Sequence, residues 1–417
     1  MDPFDIEKEK RILSSGVRDI FTPYQPIMSH GLFYGRSKEI TAIIQQINTP
    51  GQHSILFGDR GVGKSSLANV VAETLKPLKN DNLIKKRCDS DDTFITIIEK
   101  LLNEVGIDLQ VSSSQQQKAE GGKVGIKIPV FDAGVESKST DTVSLKGVSD
   151  RANSPSWVAE KVKDINALFL LDEIDVIGKE EKWKVAELVK QLSDEGSPLK
   201  FLIVGIAETA SELTHGHKSV QRCLKETPLP KLSDSEVKGI IEEGGTRIGV
   251  KFSQSAIRKI VNVSAGYAHF THLLSLKASE KAIGEGRGEI ALGHIQAATD
   301  DACGDAEGVL RTAYNEATRS SNTEEFRKIL IAASSITDVE FKSSSLRLAY
   351  ERLWGVEINQ GWLNNYLQKI VSDGNHTILR RLAKGVYKFN DPRMPSYIRL
   401  ANLTLLPDVE QENTADR

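Results

Sequence analysis

The stretch Gly58-Asp59-Arg60-Gly61-Val62-Gly63-Lys64-Ser65 decides the fold, because it matches the pattern G-x-x-x-x-G-K-[ST] at every position. A β-type run at 53–57 precedes this stretch, and a segment with helical periodicity follows it from Ser65. Glycines let successive backbone N–H groups converge on phosphate oxygens, and the N-terminus of the following helix adds partial positive charge. The sequence therefore predicts a phosphate-binding loop at this position.

The residues of this loop are expected to bind ATP together with Mg²⁺. Lys64 is expected to neutralise the β- and γ-phosphates, and the hydroxyl of Ser65 to supply an oxygen ligand to Mg²⁺. The nucleotide-binding residues predicted here are Gly58, Asp59, Arg60, Gly61, Val62, Gly63, Lys64, Ser65 and Ser66.

A second motif follows at 168–173, where the apolar run Leu-Phe-Leu-Leu ends in Asp172 and Glu173. A buried strand would carry Asp172 to the carboxyl edge of the sheet, where open α/β sheets bind their ligands. We expect Asp172 to hold Mg²⁺ through water and Glu173 to act as the general base on the attacking water. The alternative is a strand that simply ends in solvated acids. An acid directly after the Mg²⁺ aspartate favours hydrolysis over nucleotide storage.

Strand-like and helical segments alternate through the first half of the chain, which indicates a parallel sheet covered on both faces. From Ser233 the pattern becomes helical, and Ser233 and Glu236 have the spacing of a capping box. The predicted helices are 234–247, 254–264, 268–284 and 291–319. From residue 323 the sequence predicts a helix (324–334), a short strand (339–341), two further helices (344–354 and 360–372) and a β-hairpin. Three helices followed by a hairpin are the order of a winged helix-turn-helix.

We therefore predict an α/β fold, with a P-loop NTPase parallel sheet and a helical lid, followed by a winged helix-turn-helix domain. A segment rich in Ser, Gln, Gly and Lys at about 108–153 is expected to be a flexible insert. The predicted divisions are a lead-in at 1–50, an ATPase core at 51–231, a lid at 232–320, a winged helix at 321–405 and a polar tail at 406–417.

Composition narrows the classes of protein that this chain can represent. The 417 residues include 54 Lys+Arg and 57 Asp+Glu, so bulk charge cannot drive nucleic-acid binding and a local patch is needed. The three cysteines are far apart, which argues against disulfides or a zinc module and fits a reducing cytoplasm. No apolar stretch approaches the length of a membrane span, and the charged N-terminus does not resemble a signal peptide. A cytoplasmic protein without a membrane partner is expected.

The order of these motifs resembles the AAA+ ATPases, especially the origin-recognition and initiator clade, and the neighbouring STAND-type NTPases of prokaryotes. The resemblance covers about residues 30–400. It implies that Arg36, in a G-R-x-x-E segment, lies near the adenine, and that Arg222 is an arginine finger acting on a neighbouring subunit. A surface arginine in an ordinary ion pair is the alternative for Arg222. His269 stands where the family usually has the sensor 2 arginine, and Glu208 and Thr209 are the nearest sensor 1 candidates.

The C-terminal region carries a modest surplus of positive charge. Residues 323–400 contain four more Lys and Arg than Asp and Glu, the sign that phosphate contact requires. The predicted DNA-binding residues are Lys369 on the third helix and Arg380, Arg381, Lys384 and Lys388 on the hairpin. Winged helices also dock proteins, so this charge alone does not decide the partner.

Two functions from different classes remain open on the sequence. The first is an ATP-hydrolysing molecular switch that couples nucleotide state to duplex DNA or a partner, with self-association or a partner ATPase implied by Arg222. The second is a STAND-like signalling or defence scaffold with slow hydrolysis and a protein-binding winged helix. A small-molecule kinase is disfavoured, because neither an arginine-rich lid nor a substrate pocket is evident in the sequence.

Overall fold

The computed structural model describes residues 5–28, 33–79, 82–107, 151–215, 219–319, 323–372 and 378–406. Contacts divide the chain into two compact units. The sheet unit comprises Lys38–Phe57 and Val70–Pro228, and the helical unit comprises Met1–Ser37, Gly58–Asn69 and Leu229–Arg417. The predicted insert lies almost wholly outside the described residues, as does the polar tail.

The helices and strands are numbered in chain order. The helices are α1 (Ile6–Ser14), α2 (Val17–Ile20), α3 (Ser37–Asn48), α4 (Lys64–Leu75), α5 (Phe94–Glu104), α6 (Pro155–Val162), α7 (Lys179–Asp194), α8 (Ala207–His215), α9 (Asp234–Arg247), α10 (Gln254–Ser264), α11 (Ala268–Gly284), α12 (Leu292–Ala297), α13 (Thr299–Asp305), α14 (Gly308–Thr318), α15 (Thr323–Ser334), α16 (Ser343–Trp354), α17 (Gln360–Ser372) and α18 (Met394–Ala401). The strands are β1 (His53–Phe57), β2 (Leu83–Arg87), β3 (Leu168–Asp172), β4 (Lys200–Gly205), β5 (Leu224–Pro228), β6 (Lys251–Phe252), β7 (Glu289–Ile290), β8 (Glu340–Lys342), β9 (Leu379–Ala383) and β10 (Val386–Phe389).

Five parallel strands form the sheet of the sheet unit, in the order β2-β3-β4-β1-β5. The central strands β3 and β4 are buried along almost their whole length, as expected for a parallel sheet covered by helices. Phe169 and Phe201 pack edge to face in the core with ring centroids 5.3 Å apart, and the apolar stripe of α7 packs there as well. The predicted α/β class with a parallel sheet is confirmed.

Helices α9, α10 and α11 have the bounds that the sequence predicts, and the capping box of Ser233 and Glu236 is present at the start of α9. The single helix predicted at 291–319 is wrong, because three shorter helices, α12 to α14, occupy that stretch. Between α13 and α14, Ala306 adopts extended backbone and Glu307 also leaves the helical region, with φ of −51° and ψ of 127°, which interrupts the helical hydrogen bonding.

The C-terminal elements follow the predicted order of helix, strand, two helices and hairpin. Strands β8, β10 and β9 form an antiparallel sheet in that order, and Leu363, Leu367 and Ile370 of α17 are buried as expected of its core face. A further helix, α18, follows the hairpin. The assignment of these elements as a winged helix stays a prediction.

The division by contacts differs from the predicted domain boundaries in where it places residues 58–69. These residues group with the chain that follows Leu229. A Cβ on Gly58 would collide with the carbonyl oxygen of Leu229, and a Cβ on Gly63 would lie 3.8 Å from the Cβ of Ala268. The loop therefore packs against residues distant in sequence, and no signal within the motif itself reports this.

Candidate nucleotide-binding site

The backbone of the phosphate loop has the conformation that the motif requires. Gly61 and Gly63 both have left-handed backbone, with φ of +82° and +96°. Such angles strain any residue with a Cβ, so glycine at these positions follows from the shape of the loop. Left-handed residues alternating with others turn successive N–H groups toward one side, which is the geometry of an anion-binding nest.

Lys64 is the first residue of α4 and lies with its ammonium over the loop. Its Nζ donates to the carbonyl oxygens of Gly58 at 3.0 Å and Asp59 at 2.8 Å. The positive charge is therefore held beside the backbone that the motif assigns to phosphate. Two carbonyl oxygens are weaker partners for an ammonium than a phosphate dianion, so this side chain is suited to exchange one for the other.

The segment that precedes the loop in sequence contacts both the loop and α11. The backbone N–H of Ile27 donates to Ser66 Oγ at 3.0 Å, and the Nδ1 of His269 lies 3.0 Å from the carbonyl oxygen of Pro23. The N–H of His269 also donates to the carbonyl oxygen of Gly61 at 3.5 Å. Burial lowers the pKa of His269, against the opposing effect of the Pro23 carbonyl. This histidine is therefore neutral at pH 7 and does not supply the charge of a sensor arginine.

Arg36 is buried and has left-handed backbone with φ of 60°. Its backbone N–H donates to Glu236 Oε1 at 3.2 Å, and its guanidinium donates to the carbonyl oxygen of Pro230. Glu236 is also the capping-box residue of α9. The arginine therefore fixes the lead-in segment to the start of the lid, and its predicted place beside the adenine stays a prediction.

The two acids of the second motif lie at the carboxyl end of β3 in the sheet unit. Asp172 is the last residue of β3, and its Oδ1 accepts the backbone N–H of Glu173 at 2.9 Å. Glu173 has left-handed backbone, with φ of 56°, which is unusual for a residue with a long side chain. Strained backbone of this kind persists where the surrounding structure requires it, often at functional sites.

Arg87, which the sequence analysis did not select, holds the carboxylate of Glu173. Its Nε and Nη2 donate to the two carboxylate oxygens at 2.8 and 2.7 Å, a bidentate pair. These hydrogen bonds raise the pKa of Arg87. Arg87 ends β2 and lies opposite Asp172 in the parallel register. Arg87 is a basic residue at the end of a predicted strand, but the sequence alone did not show that this strand lies beside β3, so the pairing with Glu173 could not be predicted.

Arg222 ends a short 3₁₀ helix (Val220–Arg222) in the sheet unit. Its guanidinium is 63% exposed and pairs with Asp194 at the end of α7. The structure thus contains the ion pair that was the alternative to an arginine finger. The predicted role of Arg222 as an arginine finger stays a prediction.

The predicted DNA-binding residues lie on one hairpin and the preceding helix. Arg380, Arg381 and Lys384 are exposed, as is Lys369, while Lys388 is partly buried. In the register of the sheet Lys388 lies between Arg380 on β9 and Glu340 on β8. The exposed hairpin therefore presents mainly positive charge.

A family model described as Novel STAND NTPase 1 matches residues 22–338. The chain belongs to this STAND NTPase family. The match spans the phosphate loop, the Asp172–Glu173 motif and the lid, and it confirms the resemblance to STAND-type NTPases that the sequence indicated. No curated protein matches this STAND NTPase significantly.

Solved structures show the fold that this STAND NTPase shares. The Aeropyrum pernix ORC2 protein, in a structure of its ADPNP-ADP complexes, is 15% identical, with a TM-score of 0.51, and the match covers 93% of this chain and 97% of that one. The Walker-type ATPase PABY2304 of Pyrococcus abyssi is 16% identical, with a TM-score of 0.48 and coverage of 91% and 99%. The match to the ORC2 protein confirms the fold that the sequence suggested.

The part of the STAND NTPase that the structure describes contains neither a membrane-spanning helix nor a cluster of metal-ligating side chains. None of its described helices has the length and apolar character that a bilayer crossing needs. Within the same residues, no group of three or more His, Cys, Asp or Glu side chains is arranged to hold a metal ion. Mg²⁺ that arrives with a nucleotide does not need such a group, because substrate phosphates and water supply most of its ligands.

Proposed function

We propose that this STAND NTPase binds ATP with Mg²⁺ and hydrolyses the phosphoanhydride bond to the terminal phosphate. The nucleotide state would then control engagement of its C-terminal elements with duplex DNA. The observation that supports nucleotide binding best is the backbone of the loop, with left-handed Gly61 and Gly63 and with Lys64 at the start of α4. The match of the family model to residues 22–338 agrees with an NTPase.

We propose Ser65 and Asp172 as the protein ligands of Mg²⁺. A serine hydroxyl, Ser65, and one carboxylate, Asp172, are hard oxygen donors, and Mg²⁺ in nucleotide sites usually takes one or two protein oxygens beside phosphate and water. When bound, the ion would neutralise charge on the β- and γ-phosphate oxygens. The residues of the chain would do the rest: the loop N–H groups and Lys64 would hold the phosphates, Arg36 would lie near the base, and His269 would occupy the sensor 2 position.

Glu173 is the residue proposed to accept a proton from the attacking water. Its carboxylate is held by Arg87 at 2.7 and 2.8 Å, so it would have to leave this ion pair, at least in part, to act as a base. Glu173→Gln keeps the shape and removes the base. We expect this variant to retain ATP and to lose turnover, measured as phosphate release beside nucleotide titration. Normal turnover in Glu173→Gln would refute the proposed base.

DNA engagement is proposed on the basis of the hairpin. Arg380, Arg381 and Lys384 are exposed on adjoining positions, and phosphate contact by such residues gives a steep dependence of affinity on salt. ATPase activity should be measured with and without duplex DNA, together with DNA binding over a range of salt concentrations. Loss of two phosphate contacts in an Arg380→Ala, Arg381→Ala variant should reduce the salt slope by about two. An unchanged slope would remove the hairpin from the interface.

A second candidate is a signalling scaffold whose C-terminal elements bind protein. Exposed apolar side chains favour it: Leu348 is 58% exposed, Val356 53% and Leu382 43%. Such residues are unusual on a surface that meets only DNA backbone, although single exposed apolar residues are common. This candidate predicts hydrolysis that does not respond to DNA and no salt-dependent DNA binding.

A further inference from the structure

The turn formed by residues 391–393 lies against Gly61 of the phosphate loop. A Cβ built on Gly61 would lie 3.1 Å from Cδ of Arg393 and 3.7 Å from Cδ1 of Tyr267. This turn follows β10 directly and precedes α18. Three parts of the helical unit thus meet at one glycine of the loop: the loop itself, the start of the lid helix α11 and the C-terminal turn.

Arg393 is the most deeply buried charged residue at this place, with its side chain only 2% exposed. Its Nε and Nη2 donate to the carboxylate of Asp391 at 3.0 and 2.7 Å, and its Nη1 pairs with Glu307. Glu307 lies in the extended break between α13 and α14. A buried guanidinium that loses its carboxylates is strongly unfavourable, so these acids fix the arginine against the loop.

Tyr267 connects the same turn to the phosphate loop through its hydroxyl. The hydroxyl donates to the carbonyl oxygen of Pro392 at 2.7 Å and lies 3.4 Å from Asp59 Oδ2. The ring is fully buried, and the ammonium of Lys231 lies 4.6 Å from its centroid. Burial raises the pKa of Tyr267, so the hydroxyl keeps its proton and remains a donor.

The turn is anchored to the rest of the helical unit by the helix that follows it. Ser396 Oγ donates to the carbonyl oxygen of Ser264 at 3.0 Å, and Arg399 donates from Nη1 to the carbonyl oxygen of Asn262 at 2.8 Å and from Nε to that of Ser334 at 2.9 Å. These contacts join α18 to the ends of α10 and α15 without touching the phosphate loop. The helix therefore offers a control residue, Arg399, in the same structural setting.

We propose that Arg393 and Tyr267 are positioning residues of the phosphate loop, and that nucleotide affinity depends on the C-terminal turn being docked against Gly61. The inference rests on the proposed nucleotide site. The two residues hold Gly61 in its left-handed conformation, so that the N–H groups of the loop are arranged before phosphate arrives. Because linkage is reciprocal, a nucleotide that orders the loop also strengthens docking of the turn, and hence of the hairpin that leads into it.

The test compares three variants of the full-length chain. Arg393→Met removes the guanidinium and keeps most of the volume, and Tyr267→Phe removes one hydroxyl. Arg399→Met is the matched control, because Arg399 is a partly buried arginine of α18, the helix that directly follows the turn. Hydrogen exchange of the loop amides is measured without nucleotide, and affinity for a fluorescent ADP and a fluorescent ATP analogue is measured by titration. All titrations are made well below each variant's unfolding temperature, so that loss of folded protein does not enter.

We expect loop amides to exchange at least about fivefold faster in Arg393→Met, and both nucleotides to bind about tenfold more weakly, within the range of typical coupling between sites. Tyr267→Phe should weaken binding about threefold to tenfold, as for one net hydrogen bond. In the wild-type chain, nucleotide should slow exchange at residues 391–399. Arg399→Met should change affinity less than twofold.

Three results separate the outcomes. Unchanged loop exchange and unchanged affinity in both Arg393→Met and Tyr267→Phe would overturn the inference. Equal losses in Arg399→Met would also overturn it, because they would show a general effect of loosening α18. A wild-type chain that binds neither nucleotide, while its Arg393→Met variant shows faster loop exchange, would refute the proposed function and still support the contact between turn and loop.

Discussion

The ion pair between Arg87 and Glu173 is expected to restrain hydrolysis, so Arg87→Met should make the enzyme faster. The side chains are 72% and 34% exposed, and exposed ion pairs typically contribute up to about 1 kcal/mol; the bidentate geometry places this pair at the upper end of that range. If Glu173 must leave this pair to reach the attacking water, removal of the ion pair by Arg87→Met should raise kcat about twofold to fivefold, since 1 kcal/mol corresponds to a factor of about five.

The assay is steady-state phosphate release at saturating ATP. Lys85→Met is the matched control, because Lys85 lies on the same strand and forms an exposed pair with Glu73 at 2.7 Å. It should leave kcat unchanged. The gain should also vanish when Arg87→Met is combined with Glu173→Gln, since no base then remains to be released. A slower Arg87→Met enzyme of normal stability would show that Arg87 orients Glu173 for catalysis, and would refute the restraint.

Three further predictions follow from the same description. Lys64→Ala should abolish detectable nucleotide binding in a titration, because the loop N–H groups alone cannot offset the triphosphate charge. Arg222→Ala should lower ATPase activity only at protein concentrations where the chain self-associates, and a loss independent of concentration would argue against a role in trans. His53 is buried, and burial together with Lys200 and Lys79 lowers its pKa to about 3. As the pH falls, the unfolded state therefore binds the proton first, and His53 lowers the free energy of unfolding by about 1.4 kcal/mol per pH unit below about 6.5. Urea unfolding at pH 7.5 and pH 5 should show that the free energy of unfolding falls by about 2 kcal/mol less in His53→Gln than in the wild type.

The sequence predicted the structure best at positions where local chemistry alone requires a particular type of residue. The loop glycines, the apolar run into Asp172 and the capping box at Ser233 each follow from local chemistry, and the helices that they begin or end lie where predicted. The division of residues 291–319 into three helices was missed because the apolar residues keep a helical spacing through this stretch. Glu307 nevertheless leaves the helical conformation and pairs with Arg393. Local pattern does not record a partner 86 residues away.

The residues that sequence reasoning missed at the candidate site share that cause. Arg87 acts through its register beside Asp172, and Arg393 acts through contact with Gly61. In the sequence both are ordinary basic residues among the 54 of the chain, and only the strand order and the packing of the C-terminal turn distinguish them. The charge count of the C-terminal region also included Arg393 and Arg399, which are committed to internal partners and are not available to DNA.

The contact between Gly61 and the 391–393 turn also has a consequence for biosynthesis. The ribosome makes the phosphate loop early, but Arg393 is added 332 residues later (393 − 61). At ordinary elongation speeds of about 5–20 residues per second, this interval lasts roughly 20 to 70 seconds. A nascent chain would therefore carry the complete motif long before Arg393 exists, and full affinity for nucleotide would be acquired only after residue 393 has been added.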